Sequence, residues 1–381
     1  MIYLDNAATS LIRPQQVVDA VSCALVSFGG VGRGVHEASI AAGMAVLDAR
    51  EALNRLLGGP GADRVSFAPN ATVALNIAIA GLLVDGGCAL TTAASHNSVL
   101  RPLFRARDER GCTVRIAPHD RRGALDWEEF ERMAQSCNVA VITHASNLTG
   151  DVYDARRAAD IVHAAGGLLI LDAAQTAGSI PVSMEELGAD VLCFTGHKGL
   201  LGPQGTGGLI VSRAVEIPPM LEGGSGTHSF DERHPRFMPE SLEAGTVNAH
   251  GLAGLAAGVS YLEEMGVTAV AEHEQSLTDS FILQTSDIEG LRILGGEGIG
   301  KTGIVAFTLG DADSAFVADL LATEWGICTR AGAHCAPLMH KALGTEGQGA
   351  VRLSFSLFNT QDDADAVAQA VRKIAEEQAW A

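Results

Sequence analysis

Five short apolar runs, each closed by polar residues, limit this chain to one kind of sheet. They are 64–68 (RVSFA), 89–93 (ALTTA), Val139–Thr143, Leu168–Asp172 and Val191–Thr195, with a sixth at 207–212 (GGLIVS). Strands that read as apolar throughout are buried on both faces, and helical patterns between them supply the crossovers. The spacing therefore predicts an α/β fold with a mostly parallel sheet covered on both sides. The helical patterns start near Ala71–Thr72 and near Val99, and a third covers 154–165. Further on, 246–265 reads as a long Gly- and Ala-rich helix and 275–286 as another. Strands at Leu291–Leu294, Ile304–Leu309 and 351–354, with helices at 315–325 and 362–378, make a second α+β unit. The expected division is a large domain over 15–258 and a small one built from 1–14 and 259–381.

Apolar residues are 47% of the chain, enough for large cores, and the net charge is −19. A surface that acidic repels nucleic acid and anionic membranes, so neither is expected as a partner. No run of about 18 apolar residues is present, so no membrane span is predicted. The first residues, MIYLDNAATSLIRPQQ, lack the basic-then-apolar order of an export signal. The seven cysteines, at 23, 88, 112, 137, 193, 328 and 335, are odd in number and form no CxxC pair. Free thiols without an export signal predict a reducing cytoplasm.

In open α/β sheets, ligands bind beyond the carboxyl ends of the strands. Five consecutive strands here end in polar or ionisable groups: Asn70-Ala71-Thr72, Ser95-His96-Asn97, His144 to Asn147, Asp172 with Gln175, and Thr195-Gly196-His197-Lys198. Taken singly, Lys198 reads as a solvated charge, Asp172 as a cap, and the histidines as packing residues. Together they predict one large polar site. A helix start at Thr72 offers free N–H groups to a phosphate. An Asp at a buried strand end needs a cation, and a protonated pyridine nitrogen is one. A Lys in a Gly-rich turn can lose its proton and attack a carbonyl. A Schiff-base Lys with an Asp partner for the ring nitrogen is what pyridoxal 5'-phosphate (PLP) requires.

The segment 169–211, LILDAAQTAGSIPVSMEELGADVLCFTGHKGLLGPQGTGGLIV, resembles the class V aminotransferase-like branch of fold type I PLP enzymes. Within it the chain is similar to short-loop cysteine desulfurases and selenocysteine lyases. YLDNAAT at 3–9, ASHNSVL at 94–100, HASNLTG at 144–150, EAGTVN at 243–248, RAGAHCAP at 330–337 and VRLSFSLFNT at 351–360 extend the likeness along the chain. The resemblance implies that Lys198 is the Schiff-base lysine, that Asp172 pairs with the pyridine nitrogen, and that Gln175 bonds the phenolic oxygen. It implies that His96 stacks on the ring and that Ala71, Thr72, Thr195 and His197 border the phosphate. Thr246 would reach a phosphate across a homodimer interface. Asn147 and Arg352 match the binders of the substrate carboxylate, and Cys335 matches the catalytic cysteine that takes sulfur from L-cysteine as a persulfide, leaving alanine. The implied partners are L-cysteine or selenocysteine and a sulfur-acceptor protein. Arg33 and His36 resemble residues of an active-site loop. His334 and Arg330 are the neighbouring cations expected to favour the thiolate. Where short-loop desulfurases read R-x-G-H-H-C-A, this chain has Ala333 at the first His.

Two motifs are set aside. GGEGIGKT at 295–302 matches the P-loop pattern, but a strand pattern follows it where a phosphate-binding helix is needed. His334, Cys335 and His340 lack a second ligand pair at metal-binding spacing, so no metal is expected.

Overall fold

The computed structural model describes residues 1–32 and 34–378. Its larger sheet has seven strands: β1 (Val65–Ala68), β2 (Cys88–Thr92), β3 (Thr113–Ala117), β4 (Val139–Thr143), β5 (Leu168–Asp172), β6 (Val191–Thr195) and β7 (Gly207–Val211). Their order is β1-β7-β6-β5-β4-β2-β3. Six run parallel. β7 pairs antiparallel with both β1 and β6 and is the reversed strand. The mostly parallel α/β sheet is thus as expected. β3 was not anticipated, because TVRIA lies at the edge, half-exposed, and carries Arg115 mid-strand.

Successive side chains on a strand face opposite sides, and the two cores divide accordingly. Val139 and Val141 point into one apolar cluster, with Leu75 and Ile79 of helix α3 (Ala71–Leu82) and Val99 and Leu103 of α4 (Asn97–Arg110). Ala140 and Ile142 point into the other. The second face is covered partly by α2 (Glu37–Leu56) and the helix over 249–265, on which α1 (Gln15–Ser27) packs, and partly by α5 (Trp127–Ala134) and α6 (Ala155–Ala164). In α2, Arg50 is buried and forms a two-pronged ion pair with Glu243, Nη1–Oε1 2.8 Å and Nη2–Oε2 2.6 Å.

The long helix expected from Thr246 begins at Ala249 instead, as α7 (Ala249–Met265). Asn248 is its N-cap and accepts the Gly251 N–H at 3.0 Å. The next helix, α8 (Val267–Thr285), starts eight residues earlier than its pattern suggested. Only Gly266 separates it from α7. α8 buries Val270, Leu277 and Phe281, and also the carboxyl side chain of Glu274.

A second sheet joins β8 (Leu291–Leu294), β9 (Ile304–Leu309), β10 (Arg330–Gly332) and β11 (Ala350–Ser354) in the order β8-β9-β11-β10, all antiparallel. Helices α9 (Ser314–Trp325) and α11 (Gln361–Gln378) share its core with α8, while α10 (Pro337–Leu343) follows the Cys335 turn. The P-loop-like segment is no helix start. Gly300–Lys301 pairs with Asp151–Val152, and β9 follows. No described helix is long and apolar enough to cross a membrane.

Candidate active site

The carboxyl ends of β1, β2, β4, β5 and β6 meet at one cavity. Thr72, His96, Asn147, Asp172, Thr195 and Lys198 border it, and so do Ala71, Gln175 and His197. All nine come from the polar strand ends singled out in the sequence. Thr143, the last residue of β4, also borders the cavity; its run had been read only as strand.

α3 begins at this edge because Asn70 caps it, accepting the Val73 N–H at 3.0 Å. The fit is close on the sheet side. A Cβ on Gly207, where β7 enters the edge, would lie 2.8 Å from the Asn70 Cα and 2.9 Å from the Phe194 carbonyl. Only glycine lets the helix start pack there. α4 begins the same way. His96 is its cap, and Nδ1 accepts the Ser98 N–H at 3.0 Å. Accepting that bond leaves Nδ1 unprotonated, so the ring is neutral with its proton on Nε2.

Burial dominates the electrostatics. Lys198 is half-buried at the cavity wall, and its ammonium is lowered to about 8, first by burial and then by Arg352, against the pull of Asp172. Asp172 is raised by burial, offset by the Ala174 N–H at 3.0 Å and by Lys198. His96, His144 and His197 are each lowered to about 4, mainly by burial, and are neutral at pH 7. A neutral amine is therefore accessible near neutral pH beside an acid that needs a cation. Two hydroxyls of the edge, Thr143 Oγ1 and Thr195 Oγ1, are buried without a hydrogen-bond partner. Unpartnered buried donors in a cavity call for an oxygen-rich ligand.

The Cys335 turn lies next to this cavity, held to its Asn147. Cys335 is exposed and opens on a groove that shares Thr72 and His96 with it. His334 and Cys335 both adopt left-handed backbone, φ 50° and 57°, which non-glycine residues rarely do. Two bonds hold the turn: Asn147 Nδ2 donates to the His334 carbonyl at 2.6 Å, and the Asn97 N–H donates to the Cys335 carbonyl at 2.9 Å. The expectation that His334 is a cation is corrected. It is buried, stacks on His340, and is lowered to about 3, first by burial and then by Arg352. Arg330 is exposed.

The Aminotransferase class-V family matches residues 2–367. This chain belongs to the class V aminotransferase family. It is 36% identical to the "Probable cysteine desulfurase" of Aeropyrum pernix over 98% of this chain and 94% of that protein. It is 33% identical to the protein of the same description from Methanothermobacter thermautotrophicus, again over 98% and 94%. Among solved structures, the apo cysteine desulfurase of Thermococcus onnurineus NA1 superposes with a TM-score of 0.93 at 30% identity, covering 99% of this chain and 95% of that one. The fold is that of the fold type I members of this class V family.

Some expected residues stand apart from the cavity. Arg352 lies behind Asn147, with Nη1 donating to the Asn147 carbonyl at 2.8 Å and Nη2 bonded to Asp5 Oδ1 at 2.7 Å. Asp5 was not singled out, although it sits in the YLDNAAT segment. Gln175 borders the cavity, and its amide donates to the Ala7 carbonyl at 3.2 Å. Thr246 borders a separate groove with Leu221 and Val247. His36 bonds Ser39 at 3.2 Å. Arg33 lies outside the described residues.

Proposed function

We propose that this protein is a PLP-dependent cysteine desulfurase that converts L-cysteine to L-alanine and carries the sulfur as a persulfide on Cys335. The observation that carries this reading is a half-buried Lys198 lining the cavity, lowered to about 8 beside the buried Asp172, with the exposed Cys335 on an adjoining groove. The names of the relatives support it.

The site fits the cofactor. Lys198 would hold it, Asp172 would meet its ring nitrogen, and His96, as a neutral ring, would lie against it. Gln175 would face the phenolic oxygen. The α3 start at Ala71 and Thr72, with Thr195 and His197, would take the phosphate, giving the unpartnered Thr195 hydroxyl an acceptor. Thr246 would act from the other subunit of a homodimer. When bound, PLP supplies an electron sink for the substrate α-carbon. Lys198 then moves the α-proton through its Nζ. Asn147 would orient the carboxylate at the cavity, with Arg352 behind it holding Asn147 in place and supplying positive charge. The Cys335 thiolate attacks the substrate sulfur, so that an S–S bond forms as the C–S bond breaks. The C–S electron pair leaves with the substrate carbon, which is reprotonated to alanine.

We read residues 15–258 as the large domain and 1–14 with 259–381 as the small one, and the cytoplasm as the location. The test is incubation of the PLP-loaded protein with L-cysteine. Expected are alanine release and a persulfide on Cys335 by mass spectrometry, both lost in Cys335→Ala. Undiminished alanine release by that variant, or amino transfer to a keto acid, would refute the reading. Parallel turnover of selenocysteine separates a lyase preference.

A further inference from the structure

Cys335 opens on a groove that carries positive charge and no carboxylate. Its walls include Arg101 and Arg105 of α4, together with Asn76, Asn97 and Ser98. Residues four apart on a helix share a face about 6 Å apart, so the two guanidinium groups form a pair of cations along the groove. Both are exposed. The other arginines of α4 differ. Arg107 pairs with Asp108 at 2.8 Å and Arg110 with Asp85 at 2.6 Å. Among the described residues, Arg101 and Arg105 take part in no ion pair. In a chain with 45 acidic and 26 basic residues, two uncompensated cations beside one thiol call for an explanation.

We propose that Arg101 and Arg105 dock a short acidic segment next to the acceptor thiol of the protein that receives sulfur from Cys335. The proposal rests on the reading of Cys335 as the sulfur carrier. Charge complementarity selects the occupant. At physiological salt, charges act over about 8 Å, so the two arginines attract only what lies in or over the groove. A uniformly acidic partner is repelled by the net charge of −19, whereas a localised acidic segment is not. The docked thiolate attacks the outer sulfur of the Cys335 persulfide. A new S–S bond forms on the acceptor, the old one breaks, and Cys335 leaves as a thiolate with no net oxidation.

The test uses the PLP-loaded full chain and three short peptides, each with one cysteine flanked by Glu, by Gln or by Lys. The Glu peptide should accept sulfur with a kcat/KM about tenfold above the Gln peptide at low salt, an advantage that falls away in concentrated NaCl. The double variant Arg101→Glu/Arg105→Glu should lose this preference and favour the Lys peptide. Its alanine release with dithiothreitol as acceptor should stay within about twofold of wild type. Equal rates for the Glu and Gln peptides, or a preference that survives the double variant, would overturn the proposal. A second arm needs no turnover: binding of the Glu peptide with Ser in place of Cys, by fluorescence anisotropy. Failure of the wild type to release alanine with dithiothreitol would defeat the reading of Cys335. The anisotropy arm separately judges the surface, and absence of Glu-peptide binding there overturns the docking site.

Discussion

Replacing Glu274 by Gln should stabilise this protein, by an amount that depends on pH. The Glu274 carboxyl is buried in α8, and burial raises it from 4.5 to about 8, with only the Gly303 N–H acting the other way. Below pH 4.5 the group is neutral both folded and unfolded, and it costs nothing. As pH rises from 4.5 towards 8, the unfolded chain ionises while the folded one does not, so the wild type loses stability at about 1.36 kcal/mol per pH unit. Above about 8 the loss levels off near 5 kcal/mol. A cavity bordered by Glu274, Ser356, Gln175 and Lys198 lies beside it. Water there softens the charge, and about 3 kcal/mol is the working expectation. At about 2.1 cal/mol/K per residue, a chain this long converts that to about 4 °C in Tm. Thermal melts of both proteins at about pH 5 and about pH 8.5 check it, because the other titrating groups cancel in the difference. The Gln variant should gain about 4 °C at the higher pH and little at the lower. An equal difference at both pH values would refute the reasoning.

Two further outcomes are expected. Loading of cofactor-free protein with PLP needs the neutral amine of Lys198. The rate of appearance of the yellow Schiff base should therefore rise about tenfold per pH unit and flatten above about 8; a plateau already reached at pH 6.5 would contradict the lowered lysine. Arg50→Ala should strand the Glu243 carboxylate, which also accepts the Phe67 N–H at 2.6 Å, and cost about 3–5 kcal/mol. A drop of about 4–6 °C in Tm tests this, and a change under about 1 °C would show the pair to be dispensable.

The strands that carry the site were legible because a fully buried strand writes its burial as an uninterrupted apolar run. Val139–Thr143 and Leu168–Asp172 have the same limits in sequence and structure. α2 left no such mark. Its buried face mixes Ser39, Ala42, Val46, Ala49 and Arg50, and the sense of that arginine depends on Glu243, nearly two hundred residues away. The polar strand ends could be read as one site because the sheet topology gathers them. Charge state could not. His334 looks like a cation beside Cys335 in the sequence, yet burial keeps its ring neutral. The same applies to Arg352, whose bond to Asp5 joins two residues at opposite ends of the chain.

The reversal of β7 has a consequence for how this enzyme can vary. Six strands run toward the active edge and can end there in any side chain the chemistry requires. β7 alone starts there, and it starts bare, with Gly207 and Gly208. A side chain at 207 would press on the backbone of the Asn70 cap, and one at 208 on the Ser66 carbonyl. The fold therefore reserves one of its seven strand ends as clearance for the first turn of α3. Diversity in substrate or cofactor contacts has to be sought at the other ends.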